Sequence, residues 1–210
     1  MMKYLQHGTS ISALDKILEQ GILPRGKKRS NWDVKSGSNK VYLTQAYAPY
    51  FAAAADSPAN ERNAVVLQID CTKLDKDNLV ADEDALEQAD RRCNISSLGP
   101  SYKDAPMQQR TLVFEKRAAK YRSYGLDAEW SLSVLGTCAH IGPIDVEAIS
   151  AYAIVKQSIL MIWDPTITLI NFRILGATYT ENSSLIFNED IELDKVNEQL
   201  HGVILERKFF

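Results

Sequence analysis

Residues 7–26, HGTSISALDKILEQGILPRG, constrain the fold more tightly than any other stretch of the chain. Apolar Ile11, Leu14, Ile17 and Leu18 recur at helical spacing, and Ser10 or Ser12 can cap the start. Gly21 is the natural residue just past the last turn, and Pro24 prevents continuation. The residues before the helix, Lys3–His7, read as a first strand that ends at the histidine. The chain therefore opens as strand then helix, with His7-Gly8-Thr9 at the junction.

The rest alternates short strands with helices. From Lys27 to Lys40, Gly, Ser, Asn and basic residues around Trp32 predict a loop. Val41–Thr44 is a short strand, and Tyr47–Ala55 a small-residue helix with Pro49 in its first turn. Ala64–Asp70, AVVLQID, carries the strongest strand signal. Residues 72–105 form a polar insertion with a helix over Asp82–Arg92 and a following loop. Met107–Tyr121 is expected to be helical, and Ser131–Val134 and Ala148–Val155 to be strands flanking a Gly142-Pro143 turn. The segment from Ile159 onward is β-rich, and Gly202–Arg207 closes the chain as a strand. This pattern predicts an α+β fold and one domain over 1–210.

Composition removes several function classes. With 210 residues and a formal net charge of −3, the chain has no global electrostatic footprint for nucleic acid. It lacks a run of about 18 apolar residues, so no membrane span is expected. The first residues lack the apolar centre of a signal peptide, and a reducing cytoplasm is the expected compartment. Cys71, Cys93 and Cys138 make no CxxC pair. His7, His140 and His201 lack metal-ligand spacing. Cys138 and His140 share one face of a strand and read as core. Asp82-Glu83-Asp84 reads as an acidic helix start, since calcium loops space their oxygens alternately. Lys27-Lys28-Arg29 offers either a nucleic-acid contact or a solvated loop, and Trp32 either a base platform or a hydrophobic latch.

Three pieces remain: His7-Gly8-Thr9, the strand Val41-Tyr42-Leu43-Thr44 followed by Tyr47, Tyr50 and Phe51, and Ala128-Glu129-Trp130, a carboxylate entering a strand. Imidazole can hydrogen-bond a ribose hydroxyl, and glycine admits a carboxamide close to the backbone. Two aromatic rings can clamp a flat heterocycle. A carboxylate can hold a ribose 2′-hydroxyl and stabilise an oxocarbenium ion, as in glycoside hydrolysis. That inventory suits NAD+. Each piece also has a plainer reading: His7 in the helix-cap region, Tyr42 in the core, Tyr47, Tyr50 and Phe51 packing a helix, Glu129 at a solvated strand end.

The order HGTS…ILEQGILPRG…VYLTQAYAPYFA…AEW resembles the ADP-ribosyltransferase superfamily, in its His-Tyr-Glu branch with diphtheria toxin, the poly(ADP-ribose) polymerases and DarT-type toxins. The likeness runs over residues 4–55 and 125–156. It implies a split β-sheet core with inserted helices. It implies that His7 binds the adenosine-side ribose, that Gly8 pairs its backbone with the nicotinamide amide, and that Thr9 supports the turn and contacts ribose. Tyr42 would stack on nicotinamide with Tyr50 or Phe51 on the other face, and Glu129 would be the catalytic carboxylate. NAD+ is then a substrate, and no metal is required. Charge alone puts Arg25 or Arg29 near the pyrophosphate.

Glu115 and Glu147 are competing carboxylates. The resemblance favours Glu129 because AEWSLSVLGTCAHIGPIDVEAISAYAIV is similar to the family's Glu-aromatic strand, Pro turn and Ile-rich strand. Related RNA 2′-phosphotransferases carry His and Arg where this chain has Tyr42 and Glu129, which disfavours phosphotransfer. Asp127 stands two residues before Glu129, where arginine-specific transferases carry Glu, which disfavours an arginine acceptor. The expected function is mono-ADP-ribosyl transfer to a nucleic acid or protein by a bacterial or phage toxin or effector, with an antitoxin or inhibitor protein among the partners such relatives have. The alternatives are a non-catalytic binder of NAD+ or ADP-ribose, and phosphotransfer on RNA.

Overall fold

A computed structural model describes residues 2–24, 39–45, 47–48, 51–52, 63–87, 101, 104–156, 178–179, 185–186 and 204–210. They form two compact units, one of Met1–Leu23, Leu43–Leu74 and Pro143–Phe210, the other of Pro24–Tyr42 and Asp75–Gly142.

The first unit begins with β1 (Tyr4–Ser10), which passes directly into α1 (Ile11–Gln20). The strand does not stop at His7 as expected. It continues through Gly8, Thr9 and Ser10, because β3 (Asn63–Asp70) pairs with its whole length, from Tyr4↔Asp70 to Ser10↔Ala64. Ser10 precedes the helix in extended conformation, and its hydroxyl lies 3.0 Å from that of Ser12. Leu14 and Ile17 supply the buried stripe of α1. Gly21 ends it at φ 77°, its N–H donating to the Ile17 carbonyl at 2.9 Å. Ile22 then bridges to Ile144 through two backbone bonds of 2.8 and 2.9 Å. A Cβ on Gly21 would lie 2.2 Å from the Ile144 carbonyl oxygen, so both backbone sign and space demand glycine there.

β2 (Lys40–Thr44) registers against β1 through Gln6↔Thr44, and β3 pairs on its other side with β6 (Ile149–Lys156). β9 (Ile204–Phe209) pairs with β6. The strand order in this unit is β2-β1-β3-β6-β9, and each of these pairings is antiparallel. Ala64–Ile69 of β3 are all buried, so the strand is covered on both faces and shows no polar alternation. Its one buried polar member, Gln68, sits at a bulge where its side-chain amide donates to the Ser150 hydroxyl at 3.0 Å. A separate ribbon pairs β7 (Thr178–Tyr179) with β8 (Leu185–Ile186).

The second unit holds β4 (Leu79–Ala81), α2 (Arg110–Ser123), α3 (Ala128–Leu135) and β5 (Thr137–Ile141), in strand order β4-β5-β2. Ala81, Leu86, Phe114 and Tyr121 form its core, with Val113, Ala118, Leu126 and Trp130 against them. The fold is thus α+β with antiparallel pairing. The expected strand over Ser131–Val134 is instead the middle of α3. Asp127 accepts from the Trp130 N–H at 3.0 Å, Gly136 closes the helix in the left-handed region, and Ala128, Ser131 and Leu132 form its buried face. The strand comes later, as β5, where Cys138 and His140 are both buried as the core reading expected. Among the described residues no helix is long and apolar enough to cross a membrane.

Candidate active site

Within the second unit, two side chains converge on one carboxylate. Lys40 and Tyr42 lie two apart on β2 and so share a face. Lys40 Nζ donates to Glu83 Oε1 at 2.8 Å, and Tyr42 Oη donates to Glu83 Oε2 at 2.8 Å. The Lys40 ammonium also sits 3.6 Å from the centroid of the Phe114 ring. Glu83 is only 4% exposed, so its charge is compensated in place by lysine and tyrosine rather than by bulk water. Tyr42 itself is half-buried.

Glu83 opens a helix whose described part runs over 83–87, and Asp82 caps it as the acidic-start reading expected. The Asp82 carboxylate accepts from the Asp84 N–H at 2.8 Å. The Asp82 N–H donates to Ser131 Oγ at 2.9 Å, and that hydroxyl donates to the Thr137 carbonyl at 2.7 Å. This relay ties the cap to α3 and β5. Burial pushes the Asp82 carboxyl up to about 7; the neighbouring charges of Glu83 and Asp84 add to the rise, while bonds from the Asp84 N–H and the Thr137 side chain oppose it. One helical turn on, Glu87 accepts from Ser101 Oγ at 2.6 Å and faces the buried Arg117 guanidinium at 3.9 Å. Arg117 donates in turn to Tyr121 Oη at 2.9 Å. Among the described residues no group of three or more His, Cys, Asp or Glu is arranged to hold a metal ion.

Glu129 lies in the first turn of α3 and is exposed, so the carboxylate does not enter a strand. There it opposes the positive end of the helix. Its neighbour Trp130 packs on the unit's core. Glu115 is exposed on α2, and Glu147 is exposed in the short turn before β6.

In the first unit, His7, Gly8 and Thr9 are half-buried in the middle and end of β1, with His7 opposite Leu67 of β3. A Cβ on Gly8 would lie 2.1 Å from the Ala48 carbonyl oxygen and 2.6 Å from the Ala52 nitrogen. The close approach that this glycine permits is made by the protein's own backbone. Ala48, Phe51 and Ala52 are helical as expected, with the Phe51 N–H donating to the Tyr47 carbonyl at 3.1 Å. The buried Thr44 hydroxyl accepts from the Tyr47 N–H at 3.1 Å and starts that turn. Phe51 is half-buried, whereas Tyr47 is exposed. Arg25, Arg29, Trp32 and Tyr50 lie outside the described residues.

Sequence reasoning singled out Tyr42 but not its partners Lys40 and Glu83. The signal was present: a lysine two residues before the tyrosine on a strand, and an acidic triplet at a helix start.

No protein-family model matches the chain, and no curated protein matches it. Among solved structures it is similar to EcPltA at 10% identity and a TM-score of 0.41, over 73% of this chain and 76% of that one. It is similar to nicked CARDS toxin at 12% identity and a TM-score of 0.38, over 73% of this chain. The chain spans 26% of the length of that toxin.

Proposed function

We propose that the chain is an NAD-dependent mono-ADP-ribosyltransferase of the His-Tyr-Glu type, acting in the cytoplasm as a toxin or effector. One observation carries the reading. His7-Gly8-Thr9 lies on a strand that runs straight into a helix closed by Gly21, and the strand bearing Tyr42 is the next in sequence and pairs with it. The resemblance calls for the histidine and the tyrosine on elements in that order.

In this reading NAD+ is a substrate. His7 and Thr9 bind its ribose, Gly8 pairs with the carboxamide, and Tyr42 stacks on the nicotinamide, with Phe51 or Tyr50 on the other face. Arg25 takes the pyrophosphate. Glu129 holds the 2′-hydroxyl as the bond between C1′ and the nicotinamide nitrogen breaks, that nitrogen keeping the electron pair. The acceptor, on DNA, RNA or protein, forms a new bond at C1′ and gives up its proton. Carboxylate stabilisation of such a cationic transition state is of the order of 10²–10³-fold in rate. The test is incubation with NAD+ labelled in its adenylate half, extract as acceptor, and separate nuclease and protease digestion. Label joined to a macromolecule with release of nicotinamide supports transfer. The exposed start of α3 at Glu129 favours a second reading, a non-catalytic binder of NAD+ or ADP-ribose. Binding without nicotinamide release under every acceptor condition selects that one.

A further inference from the structure

We propose that Glu83 is the positioning residue of Tyr42, fixing the ring through its hydroxyl so that the aromatic face is ready for the nicotinamide before NAD+ arrives. The inference rests on the transferase reading above, and it assigns a role to a carboxylate outside the residues that reading uses. A tyrosine on a strand has its Cα set by the sheet, but its ring still turns about two side-chain bonds. A single hydroxyl bond to a fixed acceptor removes that freedom in advance, and ordering one side chain on binding otherwise weakens association by about 2- to 10-fold. Here the acceptor is fixed from two directions. Its second oxygen is held by Lys40 at 2.8 Å, and the lysine is braced on Phe114. Its backbone follows the Asp82 cap, which is bonded to Ser131 and through it to Thr137. Lys40 and Glu83 form an ion pair at 2.8 Å, and a hydrogen bond to a charge-paired carboxylate is shorter and stronger than one between neutral groups. With 4% exposure, Glu83 has no open face of its own for a ligand, so its action passes through the tyrosine.

The test separates orientation from structure by keeping or deleting the acceptor in a neutral background. In steady-state release of nicotinamide by the full chain, Tyr42→Phe is expected to raise KM for NAD+ by ~10-fold, with kcat changed less than ~3-fold. Lys40→Met with Glu83→Leu is expected to give the same rise. Lys40→Met with Glu83→Gln keeps an oxygen for the tyrosine and is expected to restore KM to within ~2-fold of wild type. Adding Tyr42→Phe to the Leu background is expected to change nothing more, because one interaction cannot be lost twice. Wild-type KM in Tyr42→Phe overturns the proposal, as does equal loss in the Gln and Leu backgrounds. Tyr42→Phe leaves the Lys40–Glu83 pair intact, so it decides the question even where the double variants fail to fold. Wild-type protein that neither binds NAD+ by calorimetry nor releases nicotinamide overturns the transferase reading and this proposal together. Active wild type with an insensitive Tyr42→Phe overturns this proposal alone.

Discussion

Gly8 and Glu129 pose opposite problems to the mutagenesis of this chain. Gly8 is hemmed by backbone, with the Ala48 oxygen and Ala52 nitrogen both inside 3.0 Å of where a methyl group would sit. Neither atom is the far end of a flexible side chain, so β1 or the facing helix has to move. Gly8→Ala is expected to destabilise the protein by about 2–4 kcal/mol, measured by urea unfolding. Lost activity in that variant reports folding as much as donor binding. Glu129 is exposed and glutamine keeps its size, so Glu129→Gln is expected to leave stability within about 0.5 kcal/mol. Its kcat for nicotinamide release is expected to fall by about 10²–10³-fold while NAD+ binding persists. A variant with full turnover removes Glu129 from the mechanism.

At the level of elements, the strand–helix opening was legible because its punctuation is local. Gly21 and Pro24 stop α1 by their own backbone preferences, and Ile11, Leu14, Ile17 and Leu18 give helical period in ten residues. β3 was legible because a strand buried on both faces is apolar along nearly its whole length. α3 was misread because Ser-Leu-Ser-Val alternates like a strand over four residues. The decisive signals flank it: Asp127 bonding the Trp130 N–H and Gly136 in the left-handed region. Of the candidate site, Tyr42 was legible from its neighbours in sequence. Glu83 was not, because its pairing joins residues 41 positions apart. The same holds for Arg117, which is 3% exposed and faces Glu87 across 30 residues of sequence. Arg117→Met leaves Glu87 buried without its cation and is expected to destabilise by about 3–5 kcal/mol. Thermal unfolding checks this, and addition of Glu87→Gln is expected to recover part of the loss.

For the molecule as a whole, Asp82 contributes to the pH dependence of stability. Its folded-state value is about 7, above the ordinary carboxylate value of 3.8, so the folded state holds the proton more tightly than the unfolded chain. The stability it contributes is full below about pH 4 and is lost as pH rises through about 7, amounting to about 4 kcal/mol at most. Asp82→Asn keeps the cap oxygen and is expected to flatten the unfolding free energy between pH 4 and pH 8, followed by urea titration at each pH. An unchanged slope in that variant removes Asp82 as its source. The central proposal concerns chemistry rather than stability: that the chain breaks the glycosidic bond of NAD+. Nicotinamide release from NAD+ by the purified protein, assayed with DNA, RNA and protein acceptors alongside Glu129→Gln, tests it most directly. The account predicts stoichiometric nicotinamide and acceptor-bound ADP-ribose from wild type and at least ~10²-fold less from the variant. Equal release from both, or none from wild type with any acceptor, contradicts it.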